Sequence, residues 1–235
     1  YGLVVAVILA LLGIIPLLFV RSAPPAPRIG RQARGRLDMA PLLALAPLIV
    51  AGFMNNGAVA SCKAFAYAYM DREFLIPTSV VGVISSVGMG LGVFGALSSS
   101  RLARGRGSGH VMIIASAALA GALLMMGAIA HPAMAALGTI AQFLLSALFV
   151  PAYQVLQMET AEPEWRWLVA GACNMGMSLG FGTISLGGGY IVAAAGYRRV
   201  FLVGLLFAVA SAVVMWNFVR RHGERAAQQA VREAI

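Results

Sequence analysis

The sequence predicts an all-α membrane protein with seven transmembrane helices, a six-helix bundle preceded by one further helix, and three observations carry that prediction. Apolar runs recur along the chain, each long enough to supply the roughly 20 mostly apolar residues that a spanning helix needs at about 1.5 Å per residue. Hydrophobic residues make up 60% of the 235 and charged residues 11%, against about 45–50% and about 25% in soluble domains. The arginines fall almost wholly in alternate loops, the asymmetry expected where cytoplasmic loops hold the excess of basic residues. Barrel strands are not expected, because the runs lack a two-residue alternation and lipid-exposed backbone must satisfy its own hydrogen bonds.

Taken in order, the expected spans are 1–20, 40–69, 77–98, 110–130, 134–157, 167–194 and 198–219. The first begins at Tyr1 in hydrophobic sequence, without a basic leader or a small-residue cleavage site, so it reads as a membrane helix and not as a signal peptide. An upstream part of the protein is expected before it. Residues 21–38 follow as a basic cytoplasmic linker, where Pro24, Pro25 and Pro27 resist helix and Arg21, Arg28, Arg31, Arg34 and Arg36 keep the chain in water. The bundle is then 39–220, and 221–235 is a cytoplasmic tail.

Within the bundle, Asp71, Arg72, Glu73 and Pro77 mark one turn, His131 and Pro132 a second. Glu159, Glu162, Pro163 and Glu164 mark a third, and Gly196, Tyr197, Arg198 and Arg199 a fourth. Six spans in three hairpins are compatible with an internal repeat of three helices. The sixth span is rich in glycine, at Gly171, Gly176, Gly180, Gly182, Gly187, Gly188 and Gly189. Small residues four apart let helix backbones approach closely in lipid, where hydrophobicity supplies no pairing force.

With the amino end outside, one side receives Arg21, Arg28, Arg31, Arg34, Arg36, Arg101, Arg104, Arg106, Arg166, Arg220, Arg221, Arg225 and Arg232. The other receives only Arg72, Arg198 and Arg199. This bias puts the carboxyl end in the cytoplasm and accounts for the net charge of +9. Basic residues dispersed among short loops form no single phosphate-binding face, so the expected partner is the lipid bilayer and not nucleic acid. Cys62 and Cys173 lie within spans at a spacing that fits neither a metal site nor a disulfide framework. The scattered His110, His131 and His222 and the lack of a Walker loop point away from an enzyme, a cofactor or ATP-driven chemistry.

Polar residues inside spans are the candidates for function, because lipid penalises them. Lys63 is the one lysine of the chain. At helical spacing Asn56, Lys63 and Tyr67 share a stripe, with Asn55 beside it. Two readings of Lys63 stand open: its ammonium snorkels to the outer interface, or it lines a cavity and meets a carboxylate of a substrate or of an absent part of the protein. Gln142, Ser146, Phe149, Tyr153 and Gln157 form a stripe in span five, and Asn174, Ser178, Phe181 and Ser185 one in span six. Gln142, Tyr153 and Asn174 are the candidates for substrate contact, since amides and phenols offer hydrogen bonds without a buried charge. Bonding between helices is the competing use of the same groups. The carboxylates all map to loops, span ends or the tail.

The segment Gly95-Ala96-Leu97-Ser98-Ser99-Ser100-Arg101-Leu102-Ala103-Arg104-Gly105-Arg106 resembles the Gly-x-Leu-Ala-Asp-Arg-x-Gly-Arg-Arg loop of the major facilitator superfamily, with the family aspartate missing. Glu162-Pro163-Glu164-x-Arg166 with Gly171-Ala172-x-Asn174 resembles the family's inner loop and the start of its eleventh helix. Gly187-Gly188-Gly189-Tyr190 and Gly196-Tyr197-Arg198-x-x-Phe201 resemble the end of that helix and the turn before the twelfth. The resemblance covers nearly the whole chain, as helix six, the central linker and helices seven to twelve.

It implies a major-facilitator-like bundle that packs against a missing amino-terminal six-helix half. It further implies secondary active transport of a small organic solute by alternating access, without a cofactor. Proton-coupled efflux, an antiport across a bacterial inner membrane, is the form expected. Asn55, Asn56, Lys63, Tyr67, Gln142, Tyr153 and Asn174 would then be this half's substrate-binding residues, and Gly95, Arg101, Arg104 and Arg106 its conformational loop. The alternative class is a seven-helix receptor or sensor that transports nothing.

Overall fold

The computed structural model describes the backbone of residues 45–233 and the side chains of residues 45–221. The described residues form six helices: α1 (Ala46–Phe74), α2 (Thr78–Arg106), α3 (Ser108–Ala128), α4 (Pro132–Thr160), α5 (Arg166–Ala195) and α6 (Tyr197–Glu233). The expected span 1–20 and the linker 21–38 lie outside the described residues, so the expectation of seven helices is corrected to six among those described. Five of them, α2 to α6, are long and apolar enough to cross a membrane. The other, α1, has the length, at 29 residues, but Asn55, Asn56 and Lys63 lower its mean hydropathy.

Two helices outrun the expected spans by eight residues or more, because apolar sequence ends before helical geometry does. α2 continues from residue 98 to Arg106 through good helix formers, Leu102, Ala103 and the arginines. Ser99 Oγ ties that extension to the Leu148 carbonyl of α4 at 2.9 Å. α6 likewise runs as one helix into the expected tail, to Glu233.

The turns are short, and backbone chemistry fixes them. α1 ends on Leu75 in the left-handed region (φ 52°), and the Ile76 N–H reaches back to the Met70 carbonyl at 3.2 Å, a pattern that satisfies a terminal carbonyl. Single glycines link α2 to α3 (Gly107, φ 81°) and α5 to α6 (Gly196, φ 82°), angles that glycine adopts without steric cost. At the start of α4, His131 Nδ1 accepts from the Ala133 N–H at 3.2 Å, and Pro132 occupies the first turn.

The helix contacts follow a two-fold pattern. α1 packs against α5 and α6, α4 packs against α2 and α3, and α3 packs against α6. Exchanging α1 with α4, α2 with α5 and α3 with α6 maps this pattern onto itself, which supports a repeat of three helices.

Two apolar clusters stack along the bundle. Leu48, Met112, Phe149, Tyr153 and Met215 belong to one, towards the arginine-rich end of Arg101, Arg104 and Arg106. Tyr69, Leu119, Leu123, Met126 and Phe201 belong to the other, towards the end marked by Asp71.

Candidate functional site

Between the two apolar clusters α1 carries its polar residues, and it turns them in two directions. Asn55 faces inward and is 3% exposed. Its Oδ1 accepts from Ser116 Oγ of α3 at 3.1 Å, Ser116 lies 3.3 Å from Ser211 Oγ of α6, and Ser211 donates to the Ala51 carbonyl at 3.0 Å. Both hydroxyls thus donate to acceptors on α1. The Asn55 carbonyl oxygen and both hydroxyls are matched inside an apolar bundle, where an orphaned group would cost about 1–3 kcal/mol.

One residue on, the direction changes. Asn56 Nδ2 donates to the Met177 carbonyl of α5 at 2.7 Å. Met177 is a helical neighbour of Asn174 and Phe181, three before and four after. The bond therefore sets Asn56 beside the α5 stripe of Asn174, Ser178, Phe181 and Ser185. Asn174 and Ser178 are exposed, while Phe181 and Ser185 are half-buried. Ser185 Oγ itself is shielded and has no partner among the described residues. Further along the Asn56 stripe, Lys63, Ala64 and Tyr67 are exposed.

Glycine makes this arrangement possible. A side chain at Gly180 would collide with the Phe53 carbonyl of α1. A Cβ at Gly176 would stand 2.8 Å from Ile49 Cγ2, and one at Gly57 3.3 Å from the Gly180 carbonyl. The α1–α5 seam is thus backbone against backbone, the contact that small residues allow in lipid. Gly171, Gly182, Gly187 and Gly189 on the same helix meet nothing within 4 Å.

α4 supplies the third wall. Tyr153 is fully buried, and its hydroxyl donates to the Leu48 carbonyl at 3.1 Å. The helices run antiparallel, so Gln142, 11 residues before Tyr153, stands opposite about residue 59 of α1, between Asn56 and Lys63 in depth. Gln142 is 1% exposed. Its Nε2 donates to Ser146 Oγ at 3.0 Å, and its Oε1 has no partner among the described residues.

Of the residues singled out in the sequence, the structure thus places Asn56 beside the α5 stripe and Gln142 at a similar depth, while Asn174, at the stripe's near end, lies level with the first turns of α1, where Gly176 meets Ile49 and Gly180 meets Phe53. Lys63 and Tyr67 share the exposed face. Asn55 turns away from them, and Tyr153 serves as a tie to α1.

The segment read as a loop is helical. Gly95, Arg101, Arg104 and Arg106 occupy the last turns of α2, and the connection itself shrinks to Gly107. A Cβ at Gly95 would lie 2.7 Å from the Leu144 carbonyl, so this glycine marks the close crossing with α4. The three arginines are exposed, and Arg104 Nε donates to the Ser100 carbonyl at 3.3 Å. Nearby, an open cleft of about 490 Å³ is lined by Pro151, Gln154, Val155, Met158, Glu159 and Arg166.

Sequence reasoning did not single out Ser116, Ser211 or the bond of 2.7 Å from Ser108 Oγ to Glu159 Oε2. It also did not assign Arg198, which caps the carboxyl end of α3 through the carbonyls of Gly127 at 2.9 Å and Ala128 at 2.6 Å. The available signal was the one used for Asn55: an isolated polar residue in an apolar run, here too small in serine to stand out.

Comparison with known proteins gives one family. Residues 48–234 match the profile of the Major Facilitator Superfamily. No curated protein shows significant similarity to the chain.

Proposed function

The chain belongs to the Major Facilitator Superfamily of membrane transporters, and from that premise we propose that it moves a small organic solute by secondary active transport with alternating access. A matching amino-terminal half completes the pathway in this reading, and the two halves rock about a solute held near mid-depth. The observation that carries the reading is the open polar face of α1, where Lys63 and Tyr67 are exposed and Asn56 is bonded to α5. Asn56, Lys63, Tyr67, Gln142 and Asn174 form this half's share of the site. Asn55 and Tyr153 hold α1 in position behind it.

The family match over 48–234 favours transport over the receptor reading. In the proposed orientation the arginine-rich end faces the cytoplasm of a bacterial cell, as the basic bias of its loops requires. Arg101, Arg104 and Arg106, on the rigid end of α2, transmit its movement. Transport is outward and proton-coupled. The coupling carboxylate belongs to the other half, since Asp71, Glu73, Glu159, Glu162 and Glu164 all stand in terminal turns or the α4–α5 connection.

Flux in proteoliposomes tests this. The product of the complete gene is reconstituted, a pH gradient is imposed, and entry of ethidium and of benzoate is followed. Solute movement that tracks the gradient and collapses with a protonophore is the expected result. Binding of solutes without movement under any gradient would favour the receptor reading instead.

A further inference from the structure

We propose that the solute carries a carboxylate and that Lys63 and Tyr67 receive it. The inference rests on the transport reading above and adds the chemical class of the cargo. Its first support is depth. α1 stays helical to Phe74, with Tyr69 and Met70 fully buried near its end. Lys63 lies eight residues before Asp71, about 12 Å along the axis. That places it well inside a hydrocarbon layer about 30 Å thick, further from the charged turn than a four-carbon stem reaches. Snorkelling towards the Asp71 turn is therefore closed to it.

The second support is the absence of a counter-charge at that depth. Among residues 45–221 the carboxylates are Asp71, Glu73, Glu159, Glu162 and Glu164, and each stands in a terminal turn or the α4–α5 connection. An ammonium at mid-depth persists only where an anion or water meets it.

The third support is the pairing with Tyr67. The two side chains stand one turn apart on one face, both exposed, with the small, exposed Ala64 to one side. Ammonium and phenol both donate, so together they present two donors to the two oxygens of a carboxylate. A cation would find only the phenol oxygen there.

A carboxylate side chain from the other half is the competing source of the negative charge, and acid–amide pairs separate the two. Binding of benzoate, salicylate and octanoate, and of their uncharged amides, is measured by calorimetry on the purified product of the complete gene. The acids are expected to bind and the amides to bind at least tenfold more weakly. Lys63→Gln should weaken acid binding at least tenfold, Lys63→Arg should retain most of it, and Tyr67→Phe should weaken it a few-fold.

Amides that bind as well as acids would overturn the proposal, and this comparison needs no variant to fold. So would a folded Lys63→Gln protein that binds the acids normally, the outcome expected if a protein carboxylate already neutralises Lys63. Flux of ethidium with no acid binding would end the proposal and leave transport standing. Lys63-dependent acid binding without flux of any solute would leave the anion site and end the transport reading.

Discussion

The two sides of α1 differ in how they are held. Towards α3 and α6 the helix is fastened by side chains: Ser116 donates to Asn55, Ser211 donates to the Ala51 carbonyl, the two hydroxyls lie 3.3 Å apart, and Tyr69 meets Phe201 edge-on with ring centres 5.2 Å apart. Towards α5 it is held by close backbone contact at Gly57, Gly176 and Gly180, with one side-chain bond from Asn56. A directional network has one good geometry, whereas a smooth backbone seam is specified by shape. Adjacent asparagines therefore serve opposite ends. Asn55 fixes the bundle, and Asn56 borders the face that the bundle leaves open.

The largest expected effect falls on the glycine seam. Gly180→Val places a side chain against the Phe53 carbonyl, and backbone cannot move aside as a side chain can. A loss of about 3 kcal/mol is expected, read as a lowered unfolding midpoint in detergent. Gly182→Ala, on the same helix with nothing within 4 Å, should leave the midpoint unchanged. If both variants behaved alike, the seam would not be the close contact described.

Next comes the fastened side. Asn55→Ala removes the carbonyl oxygen to which Ser116 donates and leaves it the longer contact to Ser211; it should cost about 1 kcal/mol, with the apparent affinity for transported solute unchanged. Ser116→Ala should cost about 0.6 kcal/mol, the mean for such bonds between membrane helices. The double variant Ser116→Ala, Ser211→Ala should cost less than the sum of the singles, because the two hydroxyls share one network. Strict additivity would mean that they act separately.

The smallest effect on stability is expected at Lys63, where Lys63→Gln should shift unfolding by no more than about 0.5 kcal/mol. Marked destabilisation would mean that the side chain is a structural partner, and the contrast between the two faces would fail.

Much of the fold was legible because lipid makes hydropathy speak for topology. The described helices appear in the expected order, and the turns at Pro77, His131 and Gly196 fall where the sequence places them. The ends were less legible. α2 passes its apolar stretch because Ser99 bonds to Leu148, a partner 49 residues away that no local pattern names.

For the candidate site, a 3.6-residue period groups Asn56, Lys63 and Tyr67, and the structure keeps Lys63 and Tyr67 on one exposed face. The same period cannot tell that Asn55 has partners, because Ser116 and Ser211 arrive from other helices. Nor can composition tell which glycines of α5 matter. Gly176 and Gly180 meet α1, and Gly182 and Gly187 meet nothing, a distinction made only by the crossing of two helices.

In this reading the α1 face bearing Lys63 and Tyr67 lines a watery path while the Asn55 face does not. Thiol accessibility tests it most directly. Cys62 and Cys173, both buried, are replaced by alanine in the product of the complete gene. Single variants Lys63→Cys, Tyr67→Cys, Asn174→Cys and Asn55→Cys are then exposed to a charged, lipid-insoluble thiol reagent. Rapid labelling is expected at 63, 67 and 174 and none at 55. Labelling of 63 and 67 by a lipid-soluble maleimide but not by the charged reagent would place that face in lipid, with no watery path beside it.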